Sequence, residues 1–153
     1  MSHIAIIYYS KHHGNTKKLL DSIKNECDVD LIDITNFNNI DLTKYRIIGF
    51  ASGIYMSKFN EGIIKFIEEN GSNLAGKKTF IIYTCGSYRK KYEEMIRKIL
   101  VGEGMKILGS YYSLGLDTFG PFKIIGGLSK GHPTEEEVSK CVAFYKKVVE
   151  SQI

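Results

Sequence analysis

Strand-like apolar segments alternate along this chain with segments whose apolar residues recur at helical spacing. The five strand-like segments begin near Ile4, Asp30, Arg46, Thr79 and Lys106. Most are apolar at almost every position, which is typical of parallel strands covered by helices on both faces. The pattern therefore predicts an α/β fold of three layers, in which a doubly wound, five-stranded parallel sheet lies between helices.

The composition is that of an ordinary globular domain. The 153 residues are 43% hydrophobic and 25% charged. No stretch approaches the roughly 18 consecutive apolar residues of a membrane span, so we expect one domain over residues 1–153 without a membrane-spanning segment. The first residues lead directly into a strand, without a basic or apolar leader, and this predicts a cytoplasmic location.

The net charge limits the possible partners, and the cysteine pattern indicates the state of the thiols. With a net charge of +4, the chain is either kept soluble by dispersed lysines or attracts an acidic partner. Its densest basic stretch, residues 89–91, is followed by Glu93 and Glu94 and carries no nucleic-acid-binding motif, so nucleic acid is not an expected partner. Three cysteines without a Cys-x-x-Cys pair predict free thiols.

Residues 9–16 form the most informative loop, because they connect the first strand to the first helix. They read Tyr-Ser-Lys-His-His-Gly-Asn-Thr. The first backbone N–H groups of a helix lack intrahelical partners and the macrodipole makes that end positive, so the loop is suited to hold a phosphate. Gly14 allows close approach to the backbone, and Asn15 and Thr16 add polar side chains. The glycine fingerprints of dinucleotide-binding proteins and P-loop NTPases are missing.

Two further loops are expected beside the first. Residues 51–56 follow the third strand and residues 84–88 follow the fourth. In a doubly wound sheet of order 2-1-3-4-5, strands one, three and four are neighbours, and their loops share one edge. Both loops contain a glycine, small polar residues and a tyrosine, which suits a flat heteroaromatic ligand. Tyr55 and Tyr88 either cover a face of that ligand or pack under their own loops.

These three loops resemble those of flavodoxins, and the resemblance extends over essentially the whole chain. It is strongest at residues 10–16, 53–55, 84–87 and 115–127, and a weaker similarity to menaquinone-dependent protoporphyrinogen oxidases surrounds residues 53–60. The resemblance implies the flavodoxin-like fold with strand order 2-1-3-4-5, FMN as the cofactor and redox proteins, acidic ones included, as partners. The candidate cofactor-binding residues are Ser10, His12, His13, Gly14, Asn15, Thr16, Ala51, Ser52, Gly53, Ile54, Tyr55, Thr84, Cys85, Gly86, Ser87 and Tyr88.

The first loop departs from the flavodoxin pattern, which has hydroxyl side chains where this chain has Lys11, His12 and His13. The histidines either donate to the phosphate or face solvent. A metal site would need a third ligand, and none is evident nearby. Cys85 either touches the flavin edge or is a small buried hydrophobe. Residues 115–130 lack periodicity and are expected to form an ordered surface segment that acts as a lid or a partner surface.

Three functions are compatible with these features. The first is an FMN-binding redox protein that transfers electrons, without a catalytic side chain of its own because the cofactor carries the chemistry. The second is an FMN-dependent oxidoreductase acting on quinones or protoporphyrinogen, with residues 115–130 shaping a substrate pocket. The third is a flavin-free binding domain on the same fold. Response-regulator receivers and low-molecular-weight tyrosine phosphatases are excluded, because their acidic residues and their Cys-x5-Arg motif are missing from the corresponding loops.

Overall fold

A computed structural model of the protein describes residues 3–10, 14–36, 39–115 and 131–152. A short 3-10 helix, Leu42–Lys44, precedes the third strand. The other elements are β1 (Ile4–Tyr9), α1 (Asn15–Glu26), β2 (Asp30–Asp33), β3 (Ile47–Tyr55), β4 (Lys58–Phe59), α2 (Glu61–Glu69), α3 (Gly71–Leu74), β5 (Lys78–Cys85), α4 (Lys90–Gly102), β6 (Lys106–Leu114) and α5 (Glu135–Glu150).

Five of the strands form a parallel sheet in the order β2-β1-β3-β5-β6. Without the two-residue β4, this is the order 2-1-3-4-5 expected from the sequence, and the predicted fold class is confirmed. The register places Tyr9 of β1 opposite Ser52 of β3, and Gly53 of β3 opposite Thr84 of β5. The carboxyl ends of β1, β3 and β5 therefore meet at one edge of the sheet.

Each face of the sheet packs against its own buried cluster. Helices α1 and α5 cover one face, around Ile6 and Ile82. Helices α2 and α4 cover the other, around Ile7 and Ile81. Successive residues of a strand point to opposite faces, so adjacent isoleucines of one strand fall into different clusters. This is the physical reason why the strands are apolar at almost every position.

Strand β3 is longer than the sequence predicted. Residues 51–55, which we expected in the loop 51–56, belong to the strand, which runs to Tyr55. The chain then turns at Met56 and Ser57, both with positive φ, and returns antiparallel to β3 through β4. The apolar run ends before the strand does. Small residues such as Gly53 occupy the last strand positions, where backbone hydrogen bonds to the neighbouring strands continue.

Strand β5 also extends past its apolar run. Thr84 and Cys85 were expected in the following loop, yet both belong to the strand and pair with Ser113 and Leu114 of β6. The loop proper begins at Gly86. Within the described ranges, no helix combines the length and the apolar character needed to cross a membrane.

Candidate cofactor-binding site

Helix α1 begins without a side-chain cap. Its N-cap is Gly14, with φ 64° and ψ 28°, and its first turn contains no acidic residue. A Cβ atom added at Gly14 would meet nothing within 4 Å, so the left-handed backbone, and not a lack of space, favours glycine here. The first turn therefore provides no carboxylate to neutralise the positive potential at this helix start.

Ser10 closes the first turn of α1 from the preceding strand end. Its Oγ accepts a hydrogen bond from the backbone N–H of Lys17 at 3.1 Å, which leaves the hydroxyl proton for a second bond. The neighbouring ammonium groups are engaged elsewhere. Lys17 Nζ pairs with Asp21 at 2.8 Å, and Lys18 Nζ donates to the Pro133 carbonyl at 3.0 Å. Lys17 and Lys18 therefore add little to the positive potential that the helix backbone presents at this helix start.

Two predicted site residues, Thr16 and Thr84, bond to each other. Their Oγ1 atoms are 2.9 Å apart, and both side chains are buried. The contact joins the first turn of α1 to the end of β5. The sequence predicted both hydroxyls at a ligand, whereas in the structure their first role is to hold these two elements together.

Ser52 supports the end of β3 instead of facing the edge of the sheet. The side chain is fully buried, and its Oγ donates to the Gly53 carbonyl at 2.6 Å. The same oxygen accepts the backbone N–H of Asn60 at 3.1 Å. Asn60 in turn caps α2 through its Oδ1, which accepts the N–H of Gly62 at 2.8 Å. These bonds fix the β3–β4 hairpin against the start of α2.

Three other residues of β3 differ in what they offer a ligand. Ala51 is buried, between Tyr8 and Ile82 in the neighbouring strands. Ile54 packs its side chain against the core on the α2 face. Ala51 and Ile54 therefore contribute packing, whereas Gly53, near the end of the strand, has no side chain of its own.

Tyr9 and Tyr55 form an aromatic pair at the ends of β1 and β3. Their ring centroids are 5.6 Å apart with an interplanar angle of 88°. The ring of Tyr55 also folds back toward Gly53, since a Cβ atom added there would lie 2.8 Å from Tyr55 Oη. The sequence placed Tyr9 in the first loop and did not name it as a site residue, whereas in the structure it is the last residue of β1. Only the register of β1 and β3 brings it to this edge.

Cys85 has the properties of a buried, unreactive thiol. Its side chain is 5% exposed, and burial, reinforced by the charge of Glu137, raises the pKa of the thiol to about 12. The thiol stays protonated at neutral pH. Its carbonyl accepts the N–H of Gly115 at 3.0 Å, which ties the end of β6 to the end of β5.

The loop after β5 carries an exposed tyrosine stack. Gly86 is half-buried, and Ser87 and Tyr88 are exposed. The ring of Tyr88 stacks on Tyr112 of β6 at a centroid distance of 4.3 Å. Tyr112 stacks on the buried Tyr83 at 5.8 Å. Nothing in the sequence pointed to Tyr112, because the contact depends on the pairing of β5 with β6.

Glu137 fixes the segment that follows residue 130 to the end of β6. Its carboxylate accepts hydrogen bonds from Ser113 Oγ at 3.0 Å, the N–H of Leu114 at 3.1 Å and the N–H of Thr134 at 3.0 Å, and it contacts the ring of His132. Burial alone would raise the pKa of this carboxyl, but the hydrogen bonds lower it to about 2. Glu137 is therefore charged throughout the neutral range.

Some predicted features lie outside the described residues. These are Lys11, His12 and His13, together with residues 116–130 of the segment expected as a surface excursion. A cavity of about 330 Å³ lies at the opposite, amino-terminal edge of the sheet, between Arg46, Tyr145 and residues near them. None of its lining residues belongs to the three loops. The cavity is therefore separate from the candidate site, which lies at the strand ends and at the start of α1.

The comparisons with known proteins agree with this arrangement. Residues 6–107 match the model of a family described as a flavodoxin domain. The chain is 34% identical over 148 residues to the uncharacterized protein MJ0298 of Methanocaldococcus jannaschii, over 95% of this chain and 97% of the relative.

Two solved structures share the fold. A flavodoxin from the domain Archaea matches with a TM-score of 0.70 and 19% identity, over 97% of each chain. A flavoprotein from Lactobacillus acidophilus NCFM, solved in complex with FMN, matches with a TM-score of 0.59 and 18% identity, over 71% of this chain and 91% of that one. Because the family match spans β3, β5 and the first loop with α1, the chain belongs to the flavodoxin domain family.

Proposed function

We propose that this protein binds FMN at the carboxyl edge of β1, β3 and β5 and transfers electrons between partner proteins. The start of α1 is the observation that carries the proposal. It has a left-handed glycine N-cap, no acidic residue in its first turn and a serine hydroxyl directed at it from β1. Membership of the flavodoxin domain family and the likeness to a flavoprotein solved with FMN support the same site.

The residues at the start of α1 suit a monophosphate. The hydroxyl proton of Ser10 and the first backbone N–H groups of α1 donate to it, with the helix dipole adding favourable potential. His12 and His13 follow Ser10 in the same loop, and one imidazole adds a further donor. Asn15 lies close to Gly115, so the phosphate end is bordered by the end of β6.

The residues at the strand ends suit the flavin ring. Backbone groups of Gly53 and Gly86 face its polar edge, and Tyr55, braced edge-on by Tyr9, covers one face. The hydrogen bonds of Thr84 and Ser52 hold the strand ends in place. FMN, when bound, supplies the redox chemistry, and the protonated thiol of Cys85 adds no nucleophile.

The first experiment measures FMN retention. The full chain is incubated with FMN and desalted, and absorbance bands near ~370 and ~450 nm, which belong to the cofactor, are expected to remain. Ser10→Ala should weaken FMN binding by about tenfold, because a hydrogen bond to a charged group is lost. Ser22→Ala is the matched control, since its hydroxyl donates to the Lys18 carbonyl of the same helix. A wild-type chain that retains no FMN would overturn the proposal.

A second experiment separates electron transfer from enzymatic turnover. The FMN-loaded protein is reduced anaerobically and mixed either with a one-electron acceptor protein or with a quinone in the presence of excess NADH. We expect rapid single-turnover oxidation by the acceptor protein and no sustained consumption of NADH. Sustained turnover with the quinone would assign the protein to the FMN-dependent oxidoreductases instead.

A further inference from the structure

A surface beside the candidate site combines exposed aromatic rings with uncompensated cations. It consists of Tyr88, Arg89, Lys91 and Tyr112, which we call the aromatic–basic patch. Tyr88 and Tyr112 are 42% and 41% exposed although their rings stack at 4.3 Å. The two rings therefore present a joined apolar surface to solvent.

The cations of this patch lie at the positive end of the dipole of α4. Arg89 is the N-cap of α4 and provides no side-chain cap, and the helix begins with Lys90 and Lys91. The start of a helix carries positive potential, so cations there are unfavourable. Lys90 is offset by Glu94 at 3.5 Å, and Glu93, the acidic residue of the first turn, pairs with Arg97 at 2.8 Å. Arg89 and Lys91 have no ion pair in the part of the chain that the structure describes.

The fold itself does not require these features. The inner part of the stack is structural, because Tyr83 is buried and its hydroxyl donates to Glu93 at 3.3 Å. Arg89 and Lys91 are exposed, and the ring of Tyr88 is 42% exposed although it stacks on Tyr112. Residues that lower the stability of a fold are expected at functional positions.

The patch borders the same sheet edge as the candidate site. Tyr88 follows Gly86 and Ser87 in the loop after β5, and Tyr112 lies two residues before the end of β6. A protein docked on the patch would therefore cover the loop that faces the flavin ring in our proposal.

We propose that the aromatic–basic patch is the docking surface for an acidic redox protein. This rests on the proposed function, since it names the partner of the same site. Tyrosine and arginine are enriched among the residues that dominate binding energy at interfaces. Unpaired cations around them attract a partner of opposite charge and raise the association rate. Charge complementarity therefore selects an acidic partner over a basic one.

The test uses a matched pair of probe proteins. Native cytochrome c is basic, and its succinylated form is acidic but keeps the same haem. Binding of each probe to the immobilised full chain, with FMN in the oxidised state, is measured at low and high ionic strength. Tighter binding of the succinylated probe, weakened by salt, is expected. Equal or tighter binding of the native probe would overturn the proposal.

The variant Arg89→Glu/Lys91→Glu locates the effect. We expect it to lower the association rate constant for the succinylated probe by about tenfold at low ionic strength. The control Lys106→Glu/Lys147→Glu changes the net charge equally, at the amino-terminal end of β6 and in the last turn of α5. An equal loss in both variants would show that only net charge matters, and the patch would be rejected.

Tyr112→Ser tests the aromatic part of the patch. It should increase the dissociation rate several-fold and leave the association rate nearly unchanged, because apolar anchors act mainly after encounter. An unchanged dissociation rate would overturn the role of the tyrosine pair. A short duplex DNA is added as a competitor, and DNA that binds as tightly as the probe and displaces it would show a general polyanion site instead.

This design allows the docking proposal and the cofactor-binding proposal to be refuted separately. The binding assay requires no electron transfer and is repeated with FMN-free protein. Loss of selectivity for the acidic probe with FMN retained refutes the patch alone. Loss of FMN retention with docking intact refutes the proposed function alone.

Discussion

Helices α1 and α5 lie side by side on one face of the sheet, yet they begin in opposite ways. At α5, Thr134 is the N-cap and forms a reciprocal capping box with Glu137, and all three residues of the first turn are glutamates. At α1, the N-cap is Gly14, without a side-chain cap or an acidic first turn. Side chains of α5 and its N-cap bind the first backbone N–H groups of that helix, whereas the start of α1 has no such side-chain cap.

This difference distinguishes a helix start that stabilises the fold from a helix start that is suited to bind a ligand. The carboxylate of Glu137 already fills the role of an anion at α5, and it also bonds to Leu114 of β6. At α1 the first turn contains no acidic residue, and in our proposal the phosphate of the ligand supplies the anion. The comparison therefore predicts that substitutions at α5 change stability, whereas those at α1 change ligand affinity.

Glu137→Gln should have the largest effect on stability. We expect the free energy of unfolding at pH 7 to fall by about 2 kcal/mol, because several hydrogen bonds to a charged group are weakened. The pKa of Glu137 in the folded protein is about 2, below the ordinary 4.5. Its contribution is thus fully present above pH 4.5 and is lost as the pH falls toward 2. Urea unfolding of both proteins between pH 7 and pH 2 measures this.

Glu136→Gln is the control for that prediction. The carboxylate of Glu136 is also in the first turn of α5, but it is exposed and pairs with Lys140 of the same helix at 3.2 Å. Its removal should change the stability by less than about 0.5 kcal/mol. Equal losses in the two variants would show that the helix dipole, and not the network around Glu137, stabilises this end.

Thr16→Val comes next, because it tests how the open start of α1 is held in place. Removing this hydroxyl leaves Thr84 Oγ1 without its buried partner, which should cost about 1.5 kcal/mol. The double variant Thr16→Val/Thr84→Val should cost less than the sum of the two single variants, since no hydroxyl remains unpaired. Thermal unfolding of all four proteins completes the cycle, and strict additivity would contradict the coupling.

Gly14→Ala should destabilise the protein by about 1 kcal/mol through its left-handed backbone and should also weaken FMN binding. Gly102→Ala is a close control. A Cβ atom at either position meets nothing within 4 Å, but only Gly14 has a positive φ. If both substitutions were neutral in urea unfolding, the N-cap conformation would carry no strain.

Asn15→Asp should have the smallest effect on stability and the clearest effect on ligand binding. The new carboxylate gives α1 an acidic first turn like that of α5, which stabilises the free protein by at most about 0.5 kcal/mol. FMN affinity should fall, because the carboxylate repels the phosphate. Asn25→Asp makes the same chemical change at the other end of α1 and should leave the affinity unchanged. Unaltered affinity in both would place the phosphate elsewhere.

The sequence predicted the sheet because the strand pattern is local. Residues 47–50 are apolar at every position, and such runs are required wherever helices cover both faces. The same rule failed at the strand ends. Gly53 and Thr84 continue their ladders through backbone pairing, which leaves no signal in the side chains.

The binding role of the candidate site residues stays a prediction, and the contacts among the residues at this edge could not be predicted from the sequence. The spacing of Thr134 and Glu137 is the signature of a capping box and was available from the sequence. The bonds of Glu137 to Ser113 and Leu114 depend on where β6 ends, and the stack of Tyr88 on Tyr112 depends on the pairing of β5 with β6. Such contacts follow only from the tertiary structure.

The bond between Thr16 and Thr84 sets an order of events during synthesis. The two residues are 68 positions apart in the chain. A nascent chain that has not yet released β5 from the ribosome has no partner for Thr16, so the first turn of α1 is not held against the sheet. Long-range pairing of this kind forms late in folding. We therefore expect the site proposed for FMN to be complete only after β5 has joined the parallel sheet.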